Sequence, residues 1–252
     1  MNKSLSLLDR IETEQTVLGA WMFFREPVIA GTASKQGYDF VCIDMQHGMQ
    51  SFGDMTSMIN AVRLGDALPL VRTASADEGL AGRYLDAGAA GVIFPMIETR
   101  EQAEACVSAC FYPPKGARSM GAIGATLLYG DDYFDVANSI TSAIPMIETR
   151  LAVENLDEIL AVEGVDIIFV GPSDLAISYG LPPANDSPDP EYQAALTRIV
   201  NRCRAHNVIA GIYSSALLGP QRIEQGFRLL SITTDWDSAV AGITADLNAV
   251  RR

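Results

Sequence analysis

Short apolar runs alternate along the chain with longer segments in which apolar residues recur every three or four positions. The runs fall at Val17–Phe23, Phe40–Asp44, Leu68–Arg72, Gly91–Pro95, Ala143–Glu148, Asp166–Val170, Val208–Tyr213 and Leu229–Thr233. Several are nearly continuous in apolar residues, the pattern of a strand covered on both faces in a parallel sheet. Between them the spacing predicts helices over Val28–Gln36, Phe52–Arg63, Ala76–Ala87, Arg100–Ala109, Val153–Val162, Glu191–His206, Gln221–Gln225 and Ser238–Arg251. Residues 4–13 read as a further amphipathic helix with Leu5, Leu8 and Ile11 on one face. Eight strands alternating with helices over about 250 residues is the arithmetic of a (β/α)8 barrel. The alternative, an open doubly wound sheet, usually carries a glycine-rich turn after its first strand, and Trp21-Met22-Phe23-Phe24 is not one.

Two segments interrupt the alternation. Residues 110–140 form a long insertion between the fourth and fifth strands, and their Pro, Gly and aromatic content suits an ordered active-site loop plus a short helix. Residues 181–190, LPPANDSPDP, read as a surface loop. Neither resembles an interdomain linker, so residues 1–252 count as one domain. The hexapeptide Pro-Met-Ile-Glu-Thr-Arg occurs at 95–100 and again at 145–150, as two barrel strands ending in the same turn chemistry would give.

With 48% hydrophobic and 19% charged residues the composition is that of a soluble enzyme, and a net charge of −13 argues against nucleic acid or an anionic membrane as partner. The N-terminal stretch lacks the apolar core of a signal peptide, and no run is long enough to span a bilayer. Cys42, Cys106, Cys110 and Cys203 show neither CxxC nor Cys/His zinc spacing, which predicts reduced thiols in the cytoplasm.

The candidate chemistry collects at strand ends, where barrels place their active sites. Asp44, Gln46 and His47 follow the second strand, Arg72 ends the third, Glu98 follows the fourth, Glu148 the fifth and Asp174 the sixth. Glu148 and Asp174 are placed to hold one hard divalent ion while leaving positions for water and substrate. Equally, Glu148 could cap the helix starting near Thr149, and Ser173 or Asp174 the one after Gly171-Pro172. The backbone N–H groups at Ser173 and Asp174 also offer an anion site. His47, one of two histidines, is the candidate acid/base. Arg72 at the end of an apolar strand calls for a carboxylate partner or an anionic substrate. Lys3, Lys35 and Lys115 are the three lysines, and none ends a core strand, which disfavours a Schiff base.

Phe40-Val-Cys-Ile-Asp44-Met-Gln-His47-Gly48, Val71-Arg72, Tyr112-Pro-Pro-Lys-Gly-Ala-Arg118, Ile147-Glu148-Thr-Arg150 and Gly171-Pro-Ser-Asp174-Leu175 resemble, in this order, the HpcH/HpaI family of class II pyruvate aldolases. The family includes dehydro-deoxy-sugar-acid aldolases, and the likeness runs from Trp21 to Asp235. It implies a (β/α)8 barrel assembled as a homohexamer, a trimer of dimers, with the extended C-terminal helix exchanged between subunits. It implies reversible retro-aldol cleavage of a 4-hydroxy-2-oxo acid to pyruvate or hydroxypyruvate and an aldehyde. The implied cofactor is a divalent cation (Mg²⁺ or Mn²⁺, with Co²⁺ a further option) on Glu148 and Asp174, with no organic cofactor.

By the same resemblance Arg72 stabilises enolate charge and His47 shuttles the proton. Asp86 aligns with the usual acidic partner of that histidine, and Asp44 lies close in sequence. Gly171, Pro172, Ser173, Asp174, Trp21, Gln46, Arg118 and Tyr213 join Arg72 around the substrate, whereas Glu98 aligns with a position of no such role. Four departures touch substrate choice: Gln46 replaces a glutamate, Met146 a glutamine, Ser119 a glycine, and Tyr213 a smaller aliphatic residue. A related-superfamily enzyme acting on an acyl-CoA or phosphoenolpyruvate is the alternative, and it calls for more basic residues at the active face. A non-catalytic scaffold on a degenerate barrel would not keep Glu148, Asp174, Arg72 and His47 together.

Overall fold

In the computed structural model, which describes residues 4–75 and 77–251, the apolar runs become eight strands. They are β1 Val17–Met22, β2 Phe40–Asp44, β3 Leu68–Arg72, β4 Gly91–Phe94, β5 Ser142–Ile147, β6 Ile167–Val170, β7 Ile209–Tyr213 and β8 Leu229–Thr234. All neighbours pair in parallel in chain order, and β8 closes onto β1. The helices are α1 Leu7–Glu14, α2 Pro27–Lys35, α3 Phe52–Val62, α4 Glu78–Asp86, α5 Arg100–Cys110, α6 Ile123–Tyr129, α7 Tyr133–Ile140, α8 Arg150–Glu154, α9 Leu156–Leu160, α10 Pro172–Ser178, α11 Pro190–Ala205, α12 Gly219–Gln225 and α13 Asp235–Val250. This is the (β/α)8 barrel the alternation predicts.

The strand period of two sorts the side chains. Phe40 and Cys42, Leu68 and Leu70, Ile144 and Met146, and Ile167 and Phe169 meet inside the barrel with Trp21. The residues between them, such as Val41, Val71, Ile147 and Ile168, pack outward against the helices. Gly19 makes this interior possible, because a Cβ there would stand 2.1 Å from Cζ of Phe40. Leu7 and Ile11 of α1 join the interior cluster and plug the N-terminal mouth. The buried face of α1 is thus Leu7–Ile11, one step round from the expected Leu5, Leu8 and Ile11. Carried past the apolar layers, the alternation turns Asp44, Arg72, Glu148, Gly171 and Tyr213 inward at the C-terminal mouth.

Other boundaries differ from the sequence reading for local reasons. The segment Val153–Val162 is two short helices, α8 and α9, meeting at Asn155, whose amide donates to the Glu98 carbonyl at 2.9 Å. The expected helix start at Ala76 lies outside the described residues. The insertion at 110–140 is not an active-site loop of its own barrel. α5 runs back from the C-terminal to the N-terminal face, so α6 and α7 lie at the N-terminal end, with α6 against α4.

α13 starts three residues earlier than expected because Thr234 caps it, its hydroxyl accepting from the Asp237 N–H at 2.8 Å. It touches β1 and β8 near its start and then runs outward. Trp236, Val240, Ile243, Leu247 and Val250 form a stripe spaced by four and three, each at least 44% exposed. No helix among the described residues is long and apolar enough to cross a membrane.

Candidate active site

Asp44 is the hub of the C-terminal mouth. It is fully buried, and both its oxygens are engaged. Nε of Arg72 donates to Oδ1 at 3.0 Å, and Nη2 of Arg72 donates to Oδ2. Trp21 Nε1 donates to Oδ2 at 3.1 Å, and the Gln46 and His47 N–H groups donate to Oδ1 at 2.9 and 3.2 Å. Burial works to raise this carboxyl, but the Arg72 hydrogen bonds and charge, with Trp21 and Gln46, outweigh it and hold it below the ordinary carboxylate range. Burial likewise opposes the Arg72 charge, and Asp44 more than restores it. The guanidinium is fixed further by the Trp21 ring, 5.1 Å beneath it.

Glu148 faces this pair from β5. It is 2% exposed, and Oε1 accepts from the Met96 N–H at 2.7 Å. Met96 holds a left-handed φ of 57°, unusual for a non-glycine residue, in the first copy of the hexapeptide. The two copies therefore meet: the turn of one presents an N–H to the glutamate of the other. Glu98, its counterpart, instead enters the Thr99–Gln102 capping box through its backbone N–H. Gly171 gives Glu148 its room, since a Cβ there would lie 2.1 Å from Oε2.

Neither capping alternative holds. Thr149, not Glu148, caps α8, and α10 has Gly171 at its N-cap with no side-chain hydrogen bond. Ser173 and Asp174 are thus free for a ligand.

Burial, and then the nearby Asp174 charge, push the Glu148 carboxyl up to about 7 against the Met96 N–H and Arg72. The ordinary value is 4.5, so between these values the folded chain holds a proton that the unfolded chain has lost. Stability of the metal-free protein should therefore fall as pH rises from about 4.5 to about 7, by roughly 3 kcal/mol in all. Denaturant titrations at several pH values should show this slope in the unmodified chain and its loss in Glu148→Gln.

The C-terminal mouth encloses a cavity of about 240 Å³, below the 300–1,000 Å³ of most small-molecule sites. Of the residues singled out in the sequence, Trp21, His47, Arg72, Met146, Glu148, Gly171, Pro172, Ser173, Asp174 and Tyr213 face it. Phe23 and Asn185 complete the wall. Asn185 sits in the loop that reads as mere surface, between α10 and α11; the one available signal is that this loop belongs to the connection leaving the C-terminal end of β6. Phe23 gave none beyond ending an apolar run.

Three expected residues lie elsewhere in this chain. Gln46 meets the site through its backbone N–H only, and its side chain is outside the cavity. Asp86 ends α4, which descends from β3, so it sits toward the N-terminal face, away from His47. Arg118, in the insertion at that same end, donates to Asp86 at 2.8 Å and to the Tyr133 hydroxyl at 3.0 Å. Among the described residues the His47 ring has no hydrogen-bond partner, and Asp44 reaches only its backbone. The His47–Asp86 pair and substrate contacts by Arg118 are therefore absent within one chain.

A larger hollow of about 780 Å³ opens among α1, α11 and α12 at the N-terminal end. It mixes Arg204 and Arg228 with Glu12 and Glu224 and converges on no point.

Residues 4–241 match the model of the HpcH/HpaI aldolase/citrate lyase family. The chain belongs to this family. A hydroxypyruvate/pyruvate aldolase of Rhizorhabdus wittichii is similar throughout, 36% identical over 92% of this chain and 94% of its own. A 2-dehydro-3,6-dideoxy-6-sulfogluconate aldolase of Pseudomonas putida is 34% identical over 89% of each chain. The crystal structure of an HpcH/HpaI family protein from Burkholderia cenocepacia superposes with a TM-score of 0.91 at 29% identity, covering 99% of this chain and 100% of that one. With relatives of this kind along nearly its whole length, the HpcH/HpaI member described here is a carbon–carbon lyase of the aldolase class.

Proposed function

We propose that this cavity cleaves a short 4-hydroxy-2-oxo acid to pyruvate or hydroxypyruvate and an aldehyde, reversibly, with Mg²⁺ or Mn²⁺ held by Glu148 and Asp174. The observation that carries the reading is the facing of two carboxylates by one clamped guanidinium inside a small cavity. The names of the relatives, hydroxypyruvate/pyruvate aldolase among them, support it.

The residues fit a divalent cation. Two carboxylates share the cavity, one of them buried and pushed up to about 7 by its burial and by the charge of the other. No group of three or more His, Cys, Asp or Glu gathers among the described residues. The protein thus supplies two ligands and leaves the rest to water and substrate, the habit of Mg²⁺ and Mn²⁺ sites. When bound, the cation supplies Lewis acidity to the oxygens of the 2-oxo acid.

The chain's own groups do the remainder. The Ser173 and Asp174 N–H groups receive the carboxylate at the start of α10. The C4 hydroxyl gives up its proton, its electrons form the aldehyde carbonyl, and the C3–C4 pair passes into an enolate beside Arg72. His47 holds the proton and returns it to C3. The alternative substrates, acyl-CoA or phosphoenolpyruvate, find no further cation: Arg72 is the one arginine or lysine lining the cavity among the described residues.

The acidic partner that the resemblance gives His47 is then Asp86 of the partner subunit, brought with Arg118 by assembly. The exposed apolar stripe of α13 supports such an assembly, a homohexamer with exchanged C-terminal helices. Four cysteines without disulfides, all buried, suit the cytoplasm.

The test is C3 proton exchange of pyruvate and hydroxypyruvate, followed by NMR. Exchange should require added Mg²⁺ or Mn²⁺ and vanish in Glu148→Gln. No exchange with any metal would sink the aldolase reading.

A further inference from the structure

Arg72, Glu148 and Asp174 serve the 2-oxo acid, which leaves few polar groups for the aldehyde. Tyr213 is the last inward residue of β7, and its ring is set edge-on to Trp21 at 5.6 Å and 83°. Its hydroxyl hydrogen-bonds no described residue. Burial holds the phenol above its ordinary range, so it remains an O–H donor.

Asn185 is the second such group. Its loop is pinned from below by Arg222, a fully buried guanidinium. Nη2 of Arg222 donates to the Asn185 carbonyl at 2.8 Å and to Asp186 Oδ1 at 3.0 Å, and Nη1 donates to Gln225 Oε1 at 2.9 Å. The backbone of Asn185 is thereby fixed, while its side-chain amide has no hydrogen bond to any described residue.

A hydroxyl and an amide offer donors and acceptors but no charge. A carboxylate or sulfonate on the aldehyde would need a guanidinium or ammonium, and Arg72 is already engaged. A hydroxyl on the aldehyde would be matched.

We propose that Tyr213 and Asn185 form the aldehyde-selecting wall of this cavity, and that the aldehyde it takes is a short, uncharged one bearing a hydroxyl next to the carbonyl carbon. The inference rests on the aldolase reading and deepens it. It makes Tyr213 a specificity determinant and not a gap-filler.

The test measures kcat/KM with pyruvate for two matched pairs: glyceraldehyde against propanal, and succinic semialdehyde against butanal. The unmodified enzyme should favour glyceraldehyde over propanal and give succinic semialdehyde no comparable gain over butanal. Tyr213→Phe and Asn185→Ala should each lower the glyceraldehyde/propanal ratio about tenfold, as expected when one partner of a buried hydrogen bond is removed. Asn185→Ala keeps the carbonyl that Arg222 holds, so its loop stays in place. A ratio unmoved in both variants, or an equal gain for the carboxylated aldehyde, overturns the proposal. Pyruvate C3 exchange by the unmodified protein separates the two levels. Exchange with an unmoved ratio removes this inference alone, and no exchange removes the aldolase reading with it.

Discussion

Replacing Arg72 by lysine is expected to lower kcat for aldol cleavage by about 100-fold or more while changing KM little. Nε and Nη2 of Arg72 are both committed to Asp44, and Nη1 has no protein partner among the described residues. One side chain thus serves as both anchor and donor. Lysine carries a single nitrogen, and its ammonium can satisfy Asp44 or meet the developing enolate, not both in the same geometry. The interaction lost is one made as charge builds at the reacting oxygen, so it falls on kcat.

Arg72→Ala removes more. It leaves the Asp44 carboxylate buried and unpaired, at a cost of about 3–5 kcal/mol in stability. Asp44→Asn should impair the same step, and the double variant Asp44→Asn/Arg72→Lys should be far less than additive. Steady-state kinetics on the four proteins, with unfolding curves for each, checks the scheme. Full additivity would show that Asp44 and Arg72 act separately.

The period of two explains why so much of this site is legible in the sequence. A strand such as Leu68-Pro-Leu-Val-Arg72 announces both its burial and which of its residues continues the inward row. Asp44, Arg72 and Glu148 stand out in the sequence as polar residues at the ends of apolar runs, and Tyr213 enters through the family resemblance; the inward row is the physical reason all four meet at the mouth. Asn185 did not stand out, because a Pro/Asp-rich loop has no period, and what aims it at the cavity is Arg222, distant in sequence. Met96 escaped for a different reason: its contribution is a backbone N–H in a left-handed turn, which its side chain does not advertise. Asp86 and Arg118 were recognisable as residue types in a familiar order. Their location follows instead from the direction of α4 and α5, which carry them away from the mouth. A linear pattern names a residue's role more readily than the copy of the chain in which the role is performed.

That last point can be measured. His47→Asn and Asp86→Asn are each expected to lose most activity, by about 100-fold, when every subunit carries the change. If His47 of one subunit works with Asp86 of the partner subunit, co-expression of the two variants should restore sites made from one intact side of each. Random mixing in equal amounts gives an intact histidine half the time and an intact aspartate on the neighbour half the time. About a quarter of the unmodified activity should therefore return.

The α13 stripe makes the same assembly testable independently. Trp236, Val240, Ile243 and Leu247 lie on one face with 44–70% exposure, and of these only Trp236 makes a ring contact among the described residues, edge-on to Phe24. Val240→Asp/Leu247→Asp should dissociate the oligomer in sedimentation and abolish the mixed-variant recovery with it. If activity instead survives dissociation, each chain completes its own site and Asp86 serves only to hold Arg118. If mixing restores nothing while the oligomer remains intact, Asp86 is no partner of His47.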